Sequence, residues 1–242
     1  MNQADASELV HRFFDNTGST YDLIARLCTF GADLWWKHRI LKRLPSHPTA
    51  IVEQACGTGI LTVKIARAFP FCQIVGIDVE QEYLAVAKRK VRLLGLDNVR
   101  FILGRAEDIR LDGTFDCVVS SYLAKYADLA VLVSNAAGML KEGGILVMHD
   151  FTYPPNRAFL ALWLLYFTLL RTVGGRIYPE WRPAFNGLPE LLRKSAWVDD
   201  LCSLLRRHAF SAIAVESLTF GTAAIVAAQK SGSVMSYSNS KS

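Results

Sequence analysis

Cysteine is sparse and unpaired in this chain. Cys28, Cys56, Cys72, Cys117 and Cys202 are odd in number and never form a C-x-x-C pair. That pattern excludes a disulfide framework and a cysteine zinc site, and it fits a reducing compartment. A secretion signal is missing as well. The start, MNQADASELVHRFF, has no basic opening, apolar run or small-residue cleavage site, and its early acids are wrong for a transit peptide. The expected location is the cytoplasm. No apolar run reaches the roughly 20 residues that a membrane span requires; FLALWLLYFTLL, at 159–170, is the most apolar and is read as too short to cross. A basic stripe is also lacking. The net charge is +5, but its lysines and arginines are scattered through helical stretches such as AVAKRKVRLL and SLLRRHAF. No RNA-binding signature accompanies them, so nucleic acid is not the expected partner. Positive mean hydropathy combined with positive charge better suits an enzyme that touches an anionic membrane surface.

What the chain does have is apolar content, 51% of its residues, enough for a sizeable core. Between residues 50 and 150, short apolar runs alternate with helical periods. AIVEQA precedes ILTVKIARAF, QIVGID precedes EYLAVAKRKVRLLG, and VRFILG precedes a short connection. FDCVVSSYL then leads into LAVLVSNAAGML, and GILVMHDF follows a Gly-Gly turn. Strands this short separated by helices this long predict βαβ units and a largely parallel sheet covered on both faces. AIAVESLTF and TAAIVAAQK, joined at Gly221, predict an antiparallel hairpin on the sheet edge. The expected organisation is a helical cap over 1–46 and an α/β domain over 47–230. That domain carries a helical insertion at 157–208, broken by the loop GGRIYPEWRPAFNGLP, and a disordered polar tail follows at 231–242.

The motif VEQACGTGIL places Glu53, Gly57 and Gly59 at the end of the first strand, where open α/β sheets bind ligands. Glycines there let the backbone approach a ligand, although a tight strand-to-helix turn needs them too. About twenty residues later, GIDVE ends the second strand with Asp78, suited to accept both hydroxyls of a ribose. A dinucleotide such as NAD satisfies the same logic. The pattern E-x-A-C-G-T-G nevertheless departs from G-x-G-x-x-G, and no third glycine opens the helix.

Taken in order and spacing, VEQACGTG, GIDVEQEYLAVAKRK, GRAEDIRL, FDCVVSSYL and LKEGGILVMHDF resemble the UbiE/Coq5 quinone methyltransferases. These are class I enzymes that use S-adenosylmethionine (SAM), and the resemblance runs from FFDNTGSTYDLI to Lys230. It implies a Rossmann-like class I SAM-methyltransferase fold: a mostly parallel seven-stranded sheet, an antiparallel C-terminal hairpin and a helical lid from the N-terminal and 157–208 segments. By the same resemblance, Glu53, Ala55, Gly57 and Gly59 hold the methionine portion of SAM. Asp78 and Val79 hold the ribose, Ala106 and Glu107 lie against the adenine, Ser120 falls beside the cofactor and Tyr21 closes over it. Arg105 stands where relatives usually carry an aspartate that contacts adenine.

The chain departs from that family where the acceptor binds. After the fourth strand, relatives typically read F-G-L-R-N-V, whereas this chain reads S-Y-L-A-K-Y. The fifth strand ends in VMHDF instead of L-E-F, which sets His149 beside Asp150. The SSYLAKYAD segment with the E-x-x-C-G-T-G loop resembles an offshoot of the family understood to convert ubiquinone to rhodoquinone, replacing a ring methoxy group by an amino group taken from SAM. That resemblance implies Tyr122, Lys125 and Tyr126 at the acceptor ring, His149 as a base, and His149 with Asp150 as ligands for manganese. It also implies a peripheral position on the cytoplasmic face of the bacterial inner membrane. Successive strand residues point to opposite faces, which weighs against both ligands meeting one ion. Plainer readings exist for the same residues: a lysine packed on aromatics, and a histidine that donates to a backbone carbonyl. The apolar run at 159–170 and the Trp35-Trp36 pair are expected to frame an entrance for a polyprenyl lipid.

Overall fold

The apolar runs form seven strands in one sheet: β1 (Ala50–Gln54), β2 (Gln73–Asp78), β3 (Val99–Leu103), β4 (Phe115–Ser121), β5 (Leu140–Phe151), β6 (Phe210–Leu218) and β7 (Ala223–Lys230). The computed structural model describes residues 3–112, 115–208 and 210–232; the predicted tail therefore lies outside the described residues except for Ser231 and Gly232. The order across the sheet is β3-β2-β1-β4-β5-β7-β6. The first five strands run parallel, and β7 is antiparallel to both β5 and β6, as the class I arrangement requires. Every residue of β4 is buried, which explains an apolar run without alternation: helices cover both faces.

Because β1 pairs with β2 on one side and β4 on the other, the chain reverses direction across the sheet at β1. Such a switch point opens a crevice outside the carboxyl ends of the strands. On one face, α6 (Leu129–Met139) and α10 (Trp197–Arg207) bury Leu132, Val133, Leu201 and Leu205 against Val118, Leu146 and Val226. On the other, α3 (Ala32–Leu41) and α4 (Ile60–Ala68) bury Trp36, Ile40, Leu61 and Ile65 against Ile51, Val119 and Val147. The helix α5 (Gln81–Leu93) completes the first half.

A third cluster sits above the strand ends. It joins α1 (Gln3–Phe14), α2 (Tyr21–Cys28), α7 (Arg157–Leu169) and α9 (Arg182–Lys194) through Phe13, Ile24, Phe167, Phe185 and Trp181. Tyr126, just beyond β4, is buried in this cluster and ties the helical layer to the sheet.

Three sequence expectations need correction. The stretch 174–189 is mostly helix rather than loop: a short helix α8 (Gly175–Ile177), a 3-10 turn and the start of α9. Its glycines pack instead of breaking the chain. A Cβ on Gly187 would run into the Phe13 ring, and one on Gly174 would lie 3.2 Å from Phe185. Pro183 falls in the first turn of α9, where its missing N–H costs nothing. Second, β5 begins at Leu140 rather than after the Gly-Gly pair, because Gly143, at φ +76°, carries the strand through an irregularity opposite Phe115 and Cys117. Third, the helix that starts at Arg157 runs on through a π turn to Ile177. At 21 residues it is long and apolar enough to cross a membrane by length and composition. One side is anchored on the protein by Phe167, Leu170 and the Tyr166 hydroxyl, which donates to the Leu27 carbonyl. Leu162, Leu165, Leu169 and Ile177 stay exposed.

Candidate functional site

The crevice at the switch point begins with the turn from β1 into α4. Ala55 and Gly57 both take left-handed backbone conformations, at φ +54° and +56°, and both line the crevice. For Ala55 that conformation is uncommon and costs energy, a strain typical of functional turns. Gly59 has a different task. At φ +78° it starts α4, and a Cβ there would stand 3.0 Å from the Ala87 Cβ, so it packs α4 on α5 instead of lining the crevice.

Glu53 lines a small cavity that adjoins the inner end of the crevice, with Lys37 beside it; Tyr21, Ala55, Gly57, Ser121 and Tyr122 line both. The Thr62 hydroxyl donates to its Oε2 at 2.5 Å, its sole hydrogen bond among the described residues. Burial pushes this carboxyl up to about 8, partly offset by Thr62 and Lys37. Asp78 lies across the crevice at the end of β2. The Gly57 N–H donates to its Oδ2 at 2.7 Å and the Glu80 N–H to its Oδ1 at 2.9 Å. Burial still pushes Asp78 up to about 6, with those N–H groups pulling the other way. Two buried carboxyl groups with lone pairs to spare, Asp78 in the crevice and Glu53 in the cavity adjoining it, fit a ligand with an ammonium at one end and ribose hydroxyls at the other.

Val79, Arg105, Ala106 and Glu107 line the outer end of the crevice, with Tyr83 and Phe14 opposite. The Arg105 guanidinium turns back toward Glu107 and Asp108, at 3.5 and 3.7 Å. The serine that faces the crevice is Ser121. Ser120 is buried on the other side of β4, its hydroxyl without a partner among the described residues, because adjacent strand residues alternate.

A second cavity lies under the helical layer. It is nearly all apolar, lined by Ile24, Phe167, Trp181, Phe185 and Leu188, and its floor carries Tyr122, Lys125 and Tyr126. Phe14, Tyr21, Tyr122 and Tyr126 line both cavities, so a wall of four aromatic rings is all that separates them. Tyr21 thus stands between the two cavities from the N-terminal helices.

The three residues of the strand-four loop meet there but are not equivalent. Tyr122, at φ +69°, donates its hydroxyl to Asp33 Oδ1 at 2.5 Å, so its only O–H is taken. Lys125 is fully buried. It donates to Asp150 Oδ1 at 2.6 Å and to the Tyr122 carbonyl at 3.1 Å, leaving one N–H, and its ammonium lies 4.2 Å from the centre of the Tyr126 ring. Burial lowers its pKa and Asp150 raises it in part. The Tyr126 hydroxyl has no hydrogen bond among the described residues, and burial holds it neutral.

The expectations for His149 and Asp150 are corrected. His149 lies on the face of β5 toward Trp36 and Tyr122, its Nδ1 2.9 Å from the Ser121 hydroxyl. Burial and the nearby Lys37 and Lys125 ammoniums push its pKa well down, and it lines neither cavity. A base must reach the proton it takes, and this one does not. Asp150 points the other way, into Lys125 and the backbone N–H groups of Lys125 and Phe151. One carboxylate engaged by a lysine ammonium and two backbone N–H groups, and one imidazole on the opposite face, do not fit a shared metal ion. Among the described residues no group of three or more His, Cys, Asp or Glu could hold one.

Two residues of this site were not apparent in the sequence. Asp33 and Lys37 lie one turn apart on α3, a spacing that ordinarily marks an exposed ion pair. Here both are buried, and Lys37 donates to Asp33 at 2.8 Å and to the Ser121 hydroxyl at 2.9 Å, 4.0 Å from the centre of the Tyr122 ring. Burial acts to raise the Asp33 carboxyl, but Lys37 and Tyr122 hold it below its ordinary value.

Sheet order, switch-point crevice and the carboxylates at the ends of β1 and β2 define a class I SAM-dependent methyltransferase fold. A SAM-dependent methyltransferase of Thermotoga maritima superposes with a TM-score of 0.61 at 17% identity, covering 93% of this chain and 99% of that one. The chain belongs to the ubiE/COQ5 methyltransferase family, whose pattern matches residues 1–230. The demethylmenaquinone methyltransferase of Thermus thermophilus is 34% identical over 216 residues, 88% of this chain and 97% of that protein. Its counterpart in Geobacillus stearothermophilus is 28% identical over 222 residues.

Proposed function

We propose that this protein is an RquA-type enzyme that converts ubiquinone to rhodoquinone, exchanging a ring methoxy group for an amino group supplied by SAM. The observation that carries the proposal is the buried Lys125–Asp150 pair beside the free Tyr126 hydroxyl, at the floor of an apolar cavity one aromatic wall from the cofactor crevice. A quinone carbon that bears methoxy is a vinylogous ester. Addition of an amine nitrogen there forms a C–N bond and moves the π electrons onto the conjugated carbonyl oxygen. The remaining N–H of Lys125 and the Tyr126 O–H are placed to donate to that oxygen, and donors aimed at developing charge in a dry site lower the barrier. The electrons then return, the methoxy C–O bond breaks, and the group leaves as methanol with a proton from the nitrogen, which still carries the SAM α-carbon. Loss of the α-proton moves the electrons of that C–H bond into the ring and leaves a quinol imine; water cleaves the C=N bond to release the aminated quinol and the α-keto acid of the donor, and air on extraction returns the quinone. Tyr122, its proton held by Asp33, serves as a wall and positions Lys125 through its carbonyl. No step is assigned to manganese, since His149 and Asp150 do not fit it.

A second reading is methylation of a quinone, favoured by the activity named for the relatives. Product mass separates the two. Incubation with SAM and a short-tail ubiquinone is expected to give a product lighter by the difference between methoxy and amino. A product heavier by one methyl group, with S-adenosylhomocysteine released, supports methylation.

The same reading places the protein on the cytoplasmic face of the inner membrane. Leu162, Leu165, Leu169 and Ile177 form an exposed apolar row, with Phe30 and Phe220 exposed beside it against Tyr166 and Phe159. Arg157, Arg171 and Arg176 lie along the same helix and suit anionic lipid headgroups. In flotation with anionic liposomes, the wild type should rise with the lipid, and Leu162→Asp/Leu165→Asp should stay in the bottom fraction. Equal recovery of the two at the top would count against the membrane placement.

A further inference from the structure

We infer that Glu53 is the base that removes a proton from the α-ammonium group of the amino donor, an inference that rests on the amination reading. An ammonium nitrogen has no lone pair. Before it can add to the ring it must lose a proton to a group within hydrogen-bond reach, inside the crevice. The polar side chains that surround the inner end of the crevice leave one candidate. Lys37 carries a positive charge and already donates to Asp33 and Ser121. The phenols of Tyr21 and Tyr122 are kept neutral by burial. The Ser121 hydroxyl is not basic, and His149 lies behind it. Asp78 lines the crevice but not the cavity at its inner end. Among these residues, Glu53 alone combines a carboxyl group, a position in the cavity at the inner end of the crevice and a single protein donor, Thr62.

The surroundings suit a proton acceptor rather than a permanent counterion. A buried ammonium–carboxylate pair loses the hydration of two charges, so transfer to the neutral amine and carboxylic acid is less costly there than in water. Burial and Asp78 favour protonated Glu53, while Thr62 from α4 and Lys37 from α3 favour its charged form. The buried Cys56 thiol on the same turn is held neutral by its own burial. As the ammonium enters, Glu53, protonated in the free protein, gives its own proton to solvent; an N–H bond of the ammonium then breaks, its electron pair stays on nitrogen as the nucleophile, and the proton passes to the Glu53 carboxylate. No oxidant or reductant is involved. A methyl transfer would use the sulfonium carbon and would need none of this, so the base distinguishes the two chemistries.

Proton linkage measured by titration calorimetry tests the inference without turnover. S-adenosylhomocysteine, which has the same amino group, is titrated at pH 7 in two buffers of different ionisation enthalpy, beside its deaminated analogue. The wild type should release close to one proton per ligand with the amine and none with the deaminated analogue. The release should shrink as pH rises through about 8. Glu53→Gln should bind the ligand without proton release, and its rate of nitrogen transfer to the quinone should fall by at least about a hundredfold. Equal proton release by wild type and Glu53→Gln, or undiminished nitrogen transfer in the variant, would overturn the assignment. Absence of nitrogen transfer by the wild type would instead overturn the amination reading, whatever the calorimetry shows.

Discussion

Replacing Lys125 by methionine should cost the protein both its turnover and much of its stability. The side chain and its partner Asp150 are almost completely shielded from solvent. Removal of one member of such a pair leaves a buried carboxylate uncompensated, at a cost of about 3–5 kcal/mol. For a domain of this size each kcal/mol lowers the melting temperature by about 2–4 °C, so a fall on the order of 10 °C is expected. Asp150 would keep two backbone N–H donors, from its neighbours Lys125 and Phe151, which limits the damage to folding. The second variant, Lys125→Met/Asp150→Asn, removes the charge together with its counterion and should recover most of the lost stability. It should not recover turnover, because the donor to the quinone oxygen is still gone. Thermal melts and product assays on the single and double variants check this; recovery of activity along with stability would show that Lys125 acts only as a structural ion.

Asp78→Ala should weaken cofactor binding by roughly 1.5–3 kcal/mol, the usual value of hydrogen bonds to a charged group. That corresponds to a loss of about 10- to 150-fold in affinity, readable by calorimetry with S-adenosylhomocysteine. Asp78 sits at the end of β2 with both oxygens steered by the Gly57 and Glu80 N–H groups, so its remaining lone pairs face the crevice. The pH dependence has a definite sign. Ribose hydroxyls donate to the carboxylate and favour its charged form. Its value in the free protein is about 6, so protonation competes with binding below that pH and affinity should fall as pH drops through it. Unchanged affinity in Asp78→Ala would place the cofactor elsewhere.

The strands and the position of the two carboxyl groups at the ends of β1 and β2 were legible because their signals are local. Glu53, Gly57 and Asp78 owe their place to a strand end and the turn after it, and both can be read from a few neighbouring residues. Ser120 and Ser121 show where locality stops: they are indistinguishable in sequence, and only the pleat of β4 decides that Ser121 faces the crevice. His149 and Asp150 invited a joint role by adjacency, whereas alternation sends them to opposite faces, one toward Trp36 and the other toward Lys125. Asp33 and Lys37 were illegible for a further reason. A charged pair one turn apart reads as a solvated helix face, and burial of that face follows from how α3 docks against the end of β4. The glycines at 174, 175 and 187 misled in the same way, since contact with Phe185, Arg182 and Phe13 is a tertiary reason for glycine that mimics a loop signal.

The amination account stands or falls on where the nitrogen goes. With SAM labelled at its amino nitrogen and a short-tail ubiquinone, mass spectrometry of the quinone product should find the nitrogen label on the ring and the loss of one methoxy group. A product that carries an added methyl group and no nitrogen label would contradict it.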